Sequence, residues 1–299
     1  MSQGLEAGMV VTLHIAKEVA PFGFFLTDEE QEVLLHYTQI VGEIQIGEEI
    51  DVYLYHDAQD RLSATMKHAF LKLGEVGLLE VVDIHPRFGS FLEMGLGRHL
   101  LLPFREQPEM KELRPLVGDK VYVVLAHDRQ GRLIAKLAGE DELVPLAFHA
   151  PTAWKNQWIT ARVYKPLQLG SFVVCEGEGG ILGGFGAIGM IHSSERTDLL
   201  RLGQQVQVRV IFVREDGRAN LSMRPLKEVG RDEDAETILE YLMAQPNQAM
   251  PYSDATSADD IMGKFNISKS AFKRALGKLM RNGQIVQKDG WTYMKQSEE

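Results

Sequence analysis

The chain of 299 residues is 44% hydrophobic and 25% charged, as expected for a soluble globular protein of two or more domains. Its single cysteine, Cys175, excludes an intramolecular disulfide and fits a reducing compartment. No apolar run is long enough to span a bilayer, and the first residues lack the pattern of a signal peptide. The sequence therefore predicts a cytoplasmic protein without a membrane partner.

The formal net charge of −10 argues against a uniformly basic nucleic-acid binder, but the charge is unevenly distributed. Residues 1–74 carry four basic and 12 acidic side chains, whereas residues 149–230 carry ten basic and seven acidic ones. Farther along, the segment from Lys264 to Lys288 contains seven basic residues and no acidic residue. A positive potential is therefore expected only in the C-terminal half, and the acidic N-terminal region is expected to repel phosphate.

One pattern of three segments occurs three times, with a period of about 70 to 80 residues. It consists of a glycine between apolar or aromatic residues, a Gly-led stretch of alternating apolar and polar residues, and a turn followed by an arginine. The first glycines are Gly23, Gly89 and Gly170, the second are Gly47, Gly118 and Gly203, and the arginines are Arg61, Arg132 and Arg218. Because this period exceeds that of solenoid repeats, each copy is expected to be a closed unit. Three such units favour multivalent binding over a single active site.

The apolar runs within each copy are short and rich in Val, Ile, Tyr and Phe. In the first copy they are Val10–Ile15, Phe22–Leu26, Ile50–Tyr55 and Leu62–Met66. Period-two alternation, with turns about every ten residues, predicts small antiparallel barrels. The glycine between the aromatic residues is expected to let the strand bend sharply where the barrel closes.

The pattern becomes helical near the C-terminus. The charged segment Glu228–Asp234 is interpreted as a linker, and apolar residues then recur at helical spacing from Ala235 to Leu242. A second helix is predicted from a cap at Ser257 to near Phe265, and a third from a cap at Ser268 to about Asn282. Asp289-Gly290 between two short apolar runs predicts a hairpin. Three helices followed by a hairpin are the outline of a winged helix.

The glycine-centred aromatic step, a later Leu-His pair and the closing Gly-Arg strand together resemble the S1 RNA-binding domain, a five-stranded barrel of the OB-fold type. The third copy is the most typical, through Ile188–Glu195 and Leu221–Arg224. Three such barrels followed by a winged helix resemble the bacterial conserved virulence factor B family over nearly the whole chain. The resemblance implies a mainly β fold of three tandem S1-type OB-fold barrels and an α/β winged-helix domain. The expected domains are acidic barrel 1 at 1–72, barrel 2 at 73–146, basic barrel 3 at 147–228 and the winged helix at 229–299.

The resemblance also implies where RNA would bind. In S1 domains the nucleic-acid face commonly contains two aromatic residues, a His on the third strand, an acidic residue that opens the last hairpin and an Arg that closes it. The matching residues are Phe22, Phe25, His36, Asp57 and Arg61 in barrel 1, Phe88, Phe91, Asp128 and Arg132 in barrel 2, and Phe172, His192 and Arg218 in barrel 3. Pro103 replaces the His in barrel 2, and Leu169 and Arg214 replace an aromatic and the acid in barrel 3. Equal activity of the three barrels is therefore not expected.

Charge favours barrel 3, because phosphate neutralisation provides most sequence-independent affinity. Phe172 and His192 are expected to stack on bases, with Arg214 and Arg218 contacting phosphate or ribose. Phe172 filling the barrel and His192 as a hydrogen-bonded structural residue are the alternatives. Barrels 1 and 2 are expected to be weaker RNA sites, and acidic barrel 1 is expected to bind a protein or a basic face of this chain.

The third C-terminal helix separates apolar from basic residues at about 100° per residue. Phe272, Leu276 and Leu279 lie on the half expected to face the core. The opposite half carries Lys269, Lys273, Arg274, Lys278 and Arg281, with Lys264 before the helix and Lys288 in the hairpin. Winged helices use this helix and wing as their nucleic-acid surface, although such a basic half is often only solvated.

The sequence therefore predicts a non-catalytic RNA-binding protein. Single-stranded RNA, with little sequence preference, is expected to cross one continuous basic surface of barrel 3 and the winged helix. By resemblance, the protein is expected to regulate virulence-associated gene expression. No dinucleotide cofactor is expected, because Gly184–Gly189 fits G-x-G-x-x-G but precedes a strand-like run, not a helix. No metal is expected, because the sequence has no HExxH or CxxC pattern. A protein-interaction scaffold on the ribosome or polymerase, a DNA-binding regulator acting through the winged helix, and a ribonuclease remain as alternatives.

Overall fold

The computed structural model describes residues 4–176, 186–225 and 227–295. The chain divides into two compact units, Met1–Arg224 and Pro225–Glu299. The first unit contains the three barrels and the second contains the winged helix, so the chain is mainly β as predicted.

Barrel 1 is a closed barrel in which the strands neighbour one another in the order β1-β2-β3-β5-β4. Its strands are β1 (Val10–Val19), β2 (Gly23–Thr27), β3 (Glu32–His36), β4 (Glu49–His56) and β5 (Leu62–Thr65). Neighbouring strands are antiparallel except β3 and β5, which run parallel. Alternate apolar side chains such as Ile15, Leu35 and Leu54 are fully buried. The period-two pattern therefore forms the interior of the barrel.

Barrels 2 and 3 repeat this topology. Barrel 2 contains β6 (Val76–His85), β7 (Gly89–Glu93), β8 (His99–Pro103), β9 (Lys120–His127) and β10 (Leu133–Leu137), with β8 and β10 lying side by side at the two ends of its sheet. After the short helix α1 (Glu140–Leu143), barrel 3 contains β11 (Trp158–Leu167), β12 (Gly170–Cys175), β13 (Ala187–His192), β14 (Gln205–Val213) and β15 (Ala219–Ser222). Barrel 3 is closed in the same order as barrel 1.

The repeated glycine lets the second and third strands of a barrel approach closely. Gly23 and Gly89 have φ values of 147° and 144°, a region that side chains with a Cβ rarely adopt. A Cβ at Gly23 would overlap the carbonyl oxygen of Leu35 on the next strand. In barrel 3 the contact is looser, because a Cβ at Gly170 would lie 2.9 Å from the Ile191 oxygen. A β-bulge in the first strand of each barrel accompanies this approach.

Each copy of the repeat forms its own barrel, as expected, and the three barrels pack into one body, an arrangement that the repeat did not predict. The core of barrel 2 includes Tyr53 from barrel 1 and Leu202 from barrel 3. Arg201 of barrel 3 also forms a two-pronged ion pair with Asp119 of barrel 2, with Nε–Oδ2 and Nη2–Oδ1 distances of 2.7 and 2.9 Å. Because Asp119 is buried, removing Arg201 would leave an uncompensated charge inside this contact.

The second unit has the winged-helix elements that the sequence predicted. They are α2 (Lys227–Met243), β16 (Ala249–Met250), α3 (Ala258–Phe265), α4 (Lys269–Arg281), β17 (Ile285–Lys288) and β18 (Trp291–Met294), with the sheet order β16-β18-β17. Ser257 and Ser268 cap α3 and α4, and each hydroxyl accepts a backbone N–H at 3.2 Å.

Two expectations for this unit need correction. Glu228–Asp234 is not a linker, because it belongs to α2, where its one glycine costs only about 1 kcal/mol of helix propensity. The strand β16 was not expected, since two residues are too few to show a period. Within the described ranges, no helix combines the length and apolar character needed to cross a membrane.

Candidate nucleic-acid interface

A row of five residues crosses the outer face of barrel 3. Direct cross-strand partners share a face of a sheet, so the row can be followed from strand to strand. Lys165 pairs with Phe172, Phe172 with Met190, Met190 with Asn220, and Asn220 with Phe212. Their neighbours in sequence, such as Val173 and Ile191, point into the core. The row therefore presents two aromatic rings, a thioether, an amide and an ammonium group on the outside.

Phe172 does not fill the barrel. Its ring lies outside, half-buried against a cluster that includes Tyr164 and Val174. The ammonium group of Lys165 lies 5.8 Å from the centroid of the Phe172 ring, within cation–π range. Lys165 was not among the residues predicted from the sequence. Barrel 1 repeats the arrangement, with the Lys17 ammonium 5.1 Å from the centroid of the Phe25 ring. A basic residue five or six positions before the glycine was the available signal.

Phe212 was also missed, and its side chain is 51% exposed. Strict alternation along β14 would place the Phe212 side chain inside the barrel. The register shifts between Val210 and Phe212, however, and this bulge turns Phe212 outward. Phe212 pairs with the residue two positions after the hairpin arginine, Arg218. The residues that occupy the same place are Tyr55 in barrel 1 and Ala126 in barrel 2. Tyr55 is covered by the Arg98 guanidinium of barrel 2, 5.5 Å from its ring centroid. Barrel 3 thus exposes an aromatic residue where the other barrels do not.

His192 has a structural role and also an exposed ring. Its Nδ1 accepts the backbone N–H of Ser194 at 3.2 Å and lies 2.8 Å from the Ser194 hydroxyl, capping the 3-10 turn Ser193–Glu195. His36 caps the turn Tyr37–Gln39 in the same way in barrel 1. Pro103 occupies this place in barrel 2 and makes no side-chain cap. Since Nδ1 accepts, the neutral ring carries its proton on Nε2, which faces away from the cap.

Arg214 and Arg218 are both ion-paired. The Arg218 guanidinium contacts Glu140 of α1 at 2.5 Å and Asp216 at 3.7 Å, and Arg214 contacts Asp216 at 3.1 Å. Both arginines were expected from the sequence to be available to a phosphate. Their partners reduce the charge that the last hairpin of barrel 3 can offer to a phosphate, although both side chains retain solvent exposure.

The hairpins of barrels 1 and 2 contain an internal ion pair. Asp57 accepts the backbone N–H groups of Gln59 and Arg61 at 2.8 and 3.0 Å and the Arg61 Nε at 2.8 Å. Burial alone would raise the pKa of Asp57, but these hydrogen bonds outweigh it and hold the pKa below its ordinary value. Asp128 and Arg132 repeat this arrangement, with the same direction of shift. The acidic residue that S1 domains share is therefore a turn-forming group here.

The remaining residues of barrels 1 and 2 are less favourable for an anionic ligand. Phe22 and Phe88 are exposed, but Phe88 is stacked on His85, with centroids 4.4 Å apart. In barrel 1 the cation beside Phe25 is paired, because Lys17 contacts Glu32 at 2.9 Å. In barrel 2, Asp83 stands opposite Phe91, where the other barrels have lysine. Barrel 3 is therefore the barrel in which the cation beside the ring, Lys165, has no carboxylate within 4.0 Å among the described residues.

The helix α4 separates core and basic residues as predicted. Phe272, Ala275, Leu276 and Leu279 are buried. On the other side Lys273, Arg274 and Arg281 are exposed, and Lys269 and Lys278 are half-buried. In the part of the chain that the structure describes, Lys273, Arg274 and Arg281 have no carboxylate within 4.0 Å.

The two basic residues outside α4 differ in their surroundings. The Lys264 ammonium lies 4.5 Å from the Tyr241 ring centroid, so this side chain contributes to packing on α2. Lys288 is exposed at the end of β17, where Asp289 and Gly290 adopt the positive φ values of the predicted hairpin turn. Lys288 therefore lies in the wing.

The described residues also bear on whether the protein has a dinucleotide site, a metal site or a reactive thiol. Of Gly184–Gly189, the structure describes Gly186 onward, and that part leads into β13, whereas Gly184 and Phe185 lie outside the described residues. In the described ranges there is no group of three or more His, Cys, Asp or Glu side chains that could hold a metal ion. Burial raises the pKa of Cys175 to about 12, so this thiol is not a ready nucleophile.

Family models match most of the chain. Residues 7–67 match the S1 domain, residues 76–136 the CvfB first S1-like domain, residues 145–225 the second domain of virulence regulatory factor CvfB, and residues 236–294 the CvfB-like winged helix domain. The fold and these matches define a multidomain protein of S1-type barrels with a C-terminal winged helix.

Relatives extend the similarity over most of the chain. YitL of Bacillus subtilis is 42% identical over 291 residues, covering 97% of this chain and 94% of that protein. Conserved virulence factor B of Staphylococcus saprophyticus is 32% identical over 265 residues, covering 87% and 85%. The chain therefore belongs to the conserved virulence factor B family. A crystal structure of a multidomain protein with nucleic acid binding domains from Streptococcus pneumoniae is also similar, with a TM-score of 0.62, 31% identity and coverage of 96% of this chain and 98% of that chain.

Proposed function

We propose that this protein binds single-stranded RNA, with little sequence preference, and regulates gene expression through that binding. The outer face of barrel 3 is the stacking surface, and the basic half of α4 with Lys288 is a second, electrostatic surface. The observation that carries the proposal is the row on barrel 3, which has Phe172 with Lys165 beside it at one end and Phe212 at the other, all on one outer face. Exposed rings beside cations are what a protein needs to bind unpaired bases of any sequence.

Charge and exposure support barrel 3 over barrels 1 and 2. The cation beside Phe172 is unpaired among the described residues, whereas Lys17 in barrel 1 is held by Glu32. Barrel 1 also belongs to a region with 12 acidic and four basic residues, which repels a phosphate backbone. The weaker sites expected at Phe22, Phe25, Phe88 and Phe91 are therefore proposed to contribute little. His192 contributes its exposed ring, and Arg214 and Arg218 contribute only when RNA displaces their carboxylate partners.

Binding of a fluorescent single-stranded RNA, measured by anisotropy, tests the proposal. Stacking contributes about 1–3 kcal/mol per base, so Phe212→Ala is expected to weaken binding roughly five- to 150-fold. The matched control is Phe22→Ala, which removes an equally exposed ring (54% against 51%) from acidic barrel 1 and is expected to have little effect. Equal losses for both variants, or none for either, would refute barrel 3 as the stacking surface. Competition by duplex DNA as strong as by the single strand would favour a DNA-binding regulator.

The regulatory role is proposed from the family, whose staphylococcal members are named conserved virulence factor B. Crosslinking of the protein to RNA in living cells tests it. Messenger RNAs are expected to be recovered with the wild type and lost with Phe212→Ala, and their abundance or translation should change when the protein is removed.

A second candidate function, docking of a basic protein on barrel 1, has its own supporting observation. Val41 and Ile46 are exposed in the loop between β3 and β4, and the same loop and the start of β4 carry Glu43, Glu48 and Glu49. Exposed apolar side chains rimmed by one sign of charge are typical of a protein contact. A nuclease-treated pull-down is expected to retain a basic partner that is lost with Val41→Ser combined with Ile46→Ser. Loss of all partners on nuclease treatment would exclude this function.

A further inference from the structure

The outer face of the wing carries two aromatic side chains. The strands β17 and β18 are antiparallel, and Lys288 pairs with Trp291 and Val286 with Tyr293. Direct cross-strand partners, and residues two apart on one strand, share a face of a sheet. Val286, Lys288, Trp291 and Tyr293 therefore lie on one face, which we call the wing face.

The other face of the same hairpin is packed, so the orientation of the wing face is fixed. Ile285 and Thr292 are buried, and Ile285 belongs to the core of the second unit. The Thr292 hydroxyl also donates to the Tyr252 carbonyl at 2.7 Å. Trp291 and Val286, by contrast, are 42% and 43% exposed. The wing face thus points away from the core and presents an indole ring at the surface.

The six aromatic residues of the second unit fall into two groups. Four pack on one another with ring centroids 5.1 to 6.2 Å apart, namely Tyr241, Tyr252, Phe265 and Phe272. Trp291 and Tyr293 have no ring or cation–π partner among the described residues. Aromatic side chains in a folded unit usually contribute such ring contacts. Two neighbouring rings without them, on an outward face, indicate a surface that a flat ligand can cover.

Cations lie on and beside the wing face. Lys288 is on the face itself, and its ammonium group has no carboxylate within 4.0 Å in the described part of the chain. Asp289, in the turn, is the only acidic residue from 285 to 294. Arg281, at the end of the basic half of α4, precedes Ile285 by four residues, so their Cα atoms are at most about 14 Å apart. One short strand can therefore reach both the end of α4 and the wing face.

We propose that the wing face is a second stacking surface, on which Trp291, with Tyr293 beside it, holds one unpaired base of the RNA strand. Single strands can splay their bases out, and aromatic side chains stack on such bases with little regard to sequence. This inference rests on the proposed RNA-binding function, and it gives the second unit a role in stacking besides its charge. A protein partner fits less well, because lysine is depleted in protein interfaces and a stable complex buries roughly 800 Å² per partner. Four side chains on two four-residue strands offer far less.

Two variants at one position separate stacking from apolar contact. Trp291→Phe keeps a ring and should retain most of the affinity for a fluorescent oligouridylate, measured by anisotropy. Trp291→Leu keeps an apolar side chain without a ring, so it should bind at least roughly fivefold more weakly, the lower limit for one stacked base. Because Trp291 is exposed and lies outside the core of the unit, thermal unfolding should be alike in both variants. The matched control, Phe22→Leu, removes an exposed ring from acidic barrel 1 and should bind like the wild type.

A strand of the same length with abasic nucleotides identifies the group that the wing face holds. It keeps the phosphates and has no bases, so wild type and Trp291→Leu should bind it equally. A loss that persists on the abasic strand, or an equal loss for duplex RNA, would mean that the wing face does not hold an unpaired base. Equal losses for Trp291→Phe and Trp291→Leu would likewise overturn the assignment, because the ring would not be the cause.

The failure of this inference is distinguishable from the failure of the proposed function. If Trp291→Leu binds the oligouridylate as the wild type does while Phe212→Ala binds it more weakly, the wing face is excluded and RNA binding stands. If the wild type does not bind the strand, both fail. Sedimentation that shows self-association of the wild type and none for Trp291→Leu, with unchanged RNA binding, would assign the wing face to a second copy of the chain. A nuclease-resistant protein partner lost only in Trp291→Leu would assign it to that protein.

Discussion

Replacing two cations of α4, Lys273→Ala with Arg274→Ala, should lower the salt dependence of RNA binding. Both side chains are exposed, and neither has a carboxylate within 4.0 Å among the described residues, so each can release a counterion on meeting a phosphate. Each contact to a single strand contributes about −0.7 to the slope of log affinity against log salt concentration. The double variant should therefore have a slope about 1.4 units shallower. Between about 50 and 200 mM salt, its affinity should fall roughly sevenfold less than that of the wild type.

Fluorescence anisotropy of a labelled oligouridylate across this salt range measures the slope directly. Alanine favours helix, and neither residue belongs to the core of the unit, so thermal unfolding should be unchanged. The control, Lys155→Ala with Lys295→Ala, makes the same charge change at exposed positions outside the two proposed surfaces. An unchanged slope for the α4 variant, or the same decrease in both variants, would refute α4 as a phosphate-binding surface.

Three further results are expected. Glu140→Gln should raise RNA affinity and steepen the salt slope, because it removes the shorter of the two ion pairs of Arg218 and leaves only Asp216, 3.7 Å away; anisotropy that shows no change would mean that Arg218 does not reach the RNA. Gly23→Ala should destabilise the first unit by about 3 kcal/mol in urea unfolding, because backbone strain and steric overlap each cost of order 1–3 kcal/mol. Gly170→Ala should cost less, and equal costs would contradict the difference in the contacts of the two glycines. Because its pKa is lowered, the carboxyl of Asp57 stabilises the fold above about pH 4, and this contribution is lost as the pH falls through the folded-state pKa. The free energy of unfolding of Asp57→Asn should therefore decrease less on acidification than that of the wild type.

Local signals in the sequence identified most of the elements. The serine caps of α3 and α4 and the Asp289-Gly290 turn act within a few residues, and the structure has them at the predicted places. The alternation of β4 and its counterparts predicted barrel interiors correctly. The helical start of α2 was missed because Gly230 and neighbouring charges resemble a linker when the contacts of the rest of α2 are unknown.

The candidate site was less predictable than the fold. Phe212 is exposed only because a bulge changes the register of β14, and a bulge has no clear local signal when the residues around it are all apolar. Glu140, the partner of Arg218, lies in a different part of the chain, so counting charges by segment treated that arginine as free.

The sequence by itself determined the repeated barrels, the winged helix and the position of the basic half of α4. These follow from periodicity, caps and turns, which act over a few residues and need no distant partner. The tertiary structure decided which rings and charges remain available, because cross-strand register, ion pairs and packing between barrels join residues far apart in the chain. Phe212 is exposed, Tyr55 is covered and Arg218 is paired for this reason.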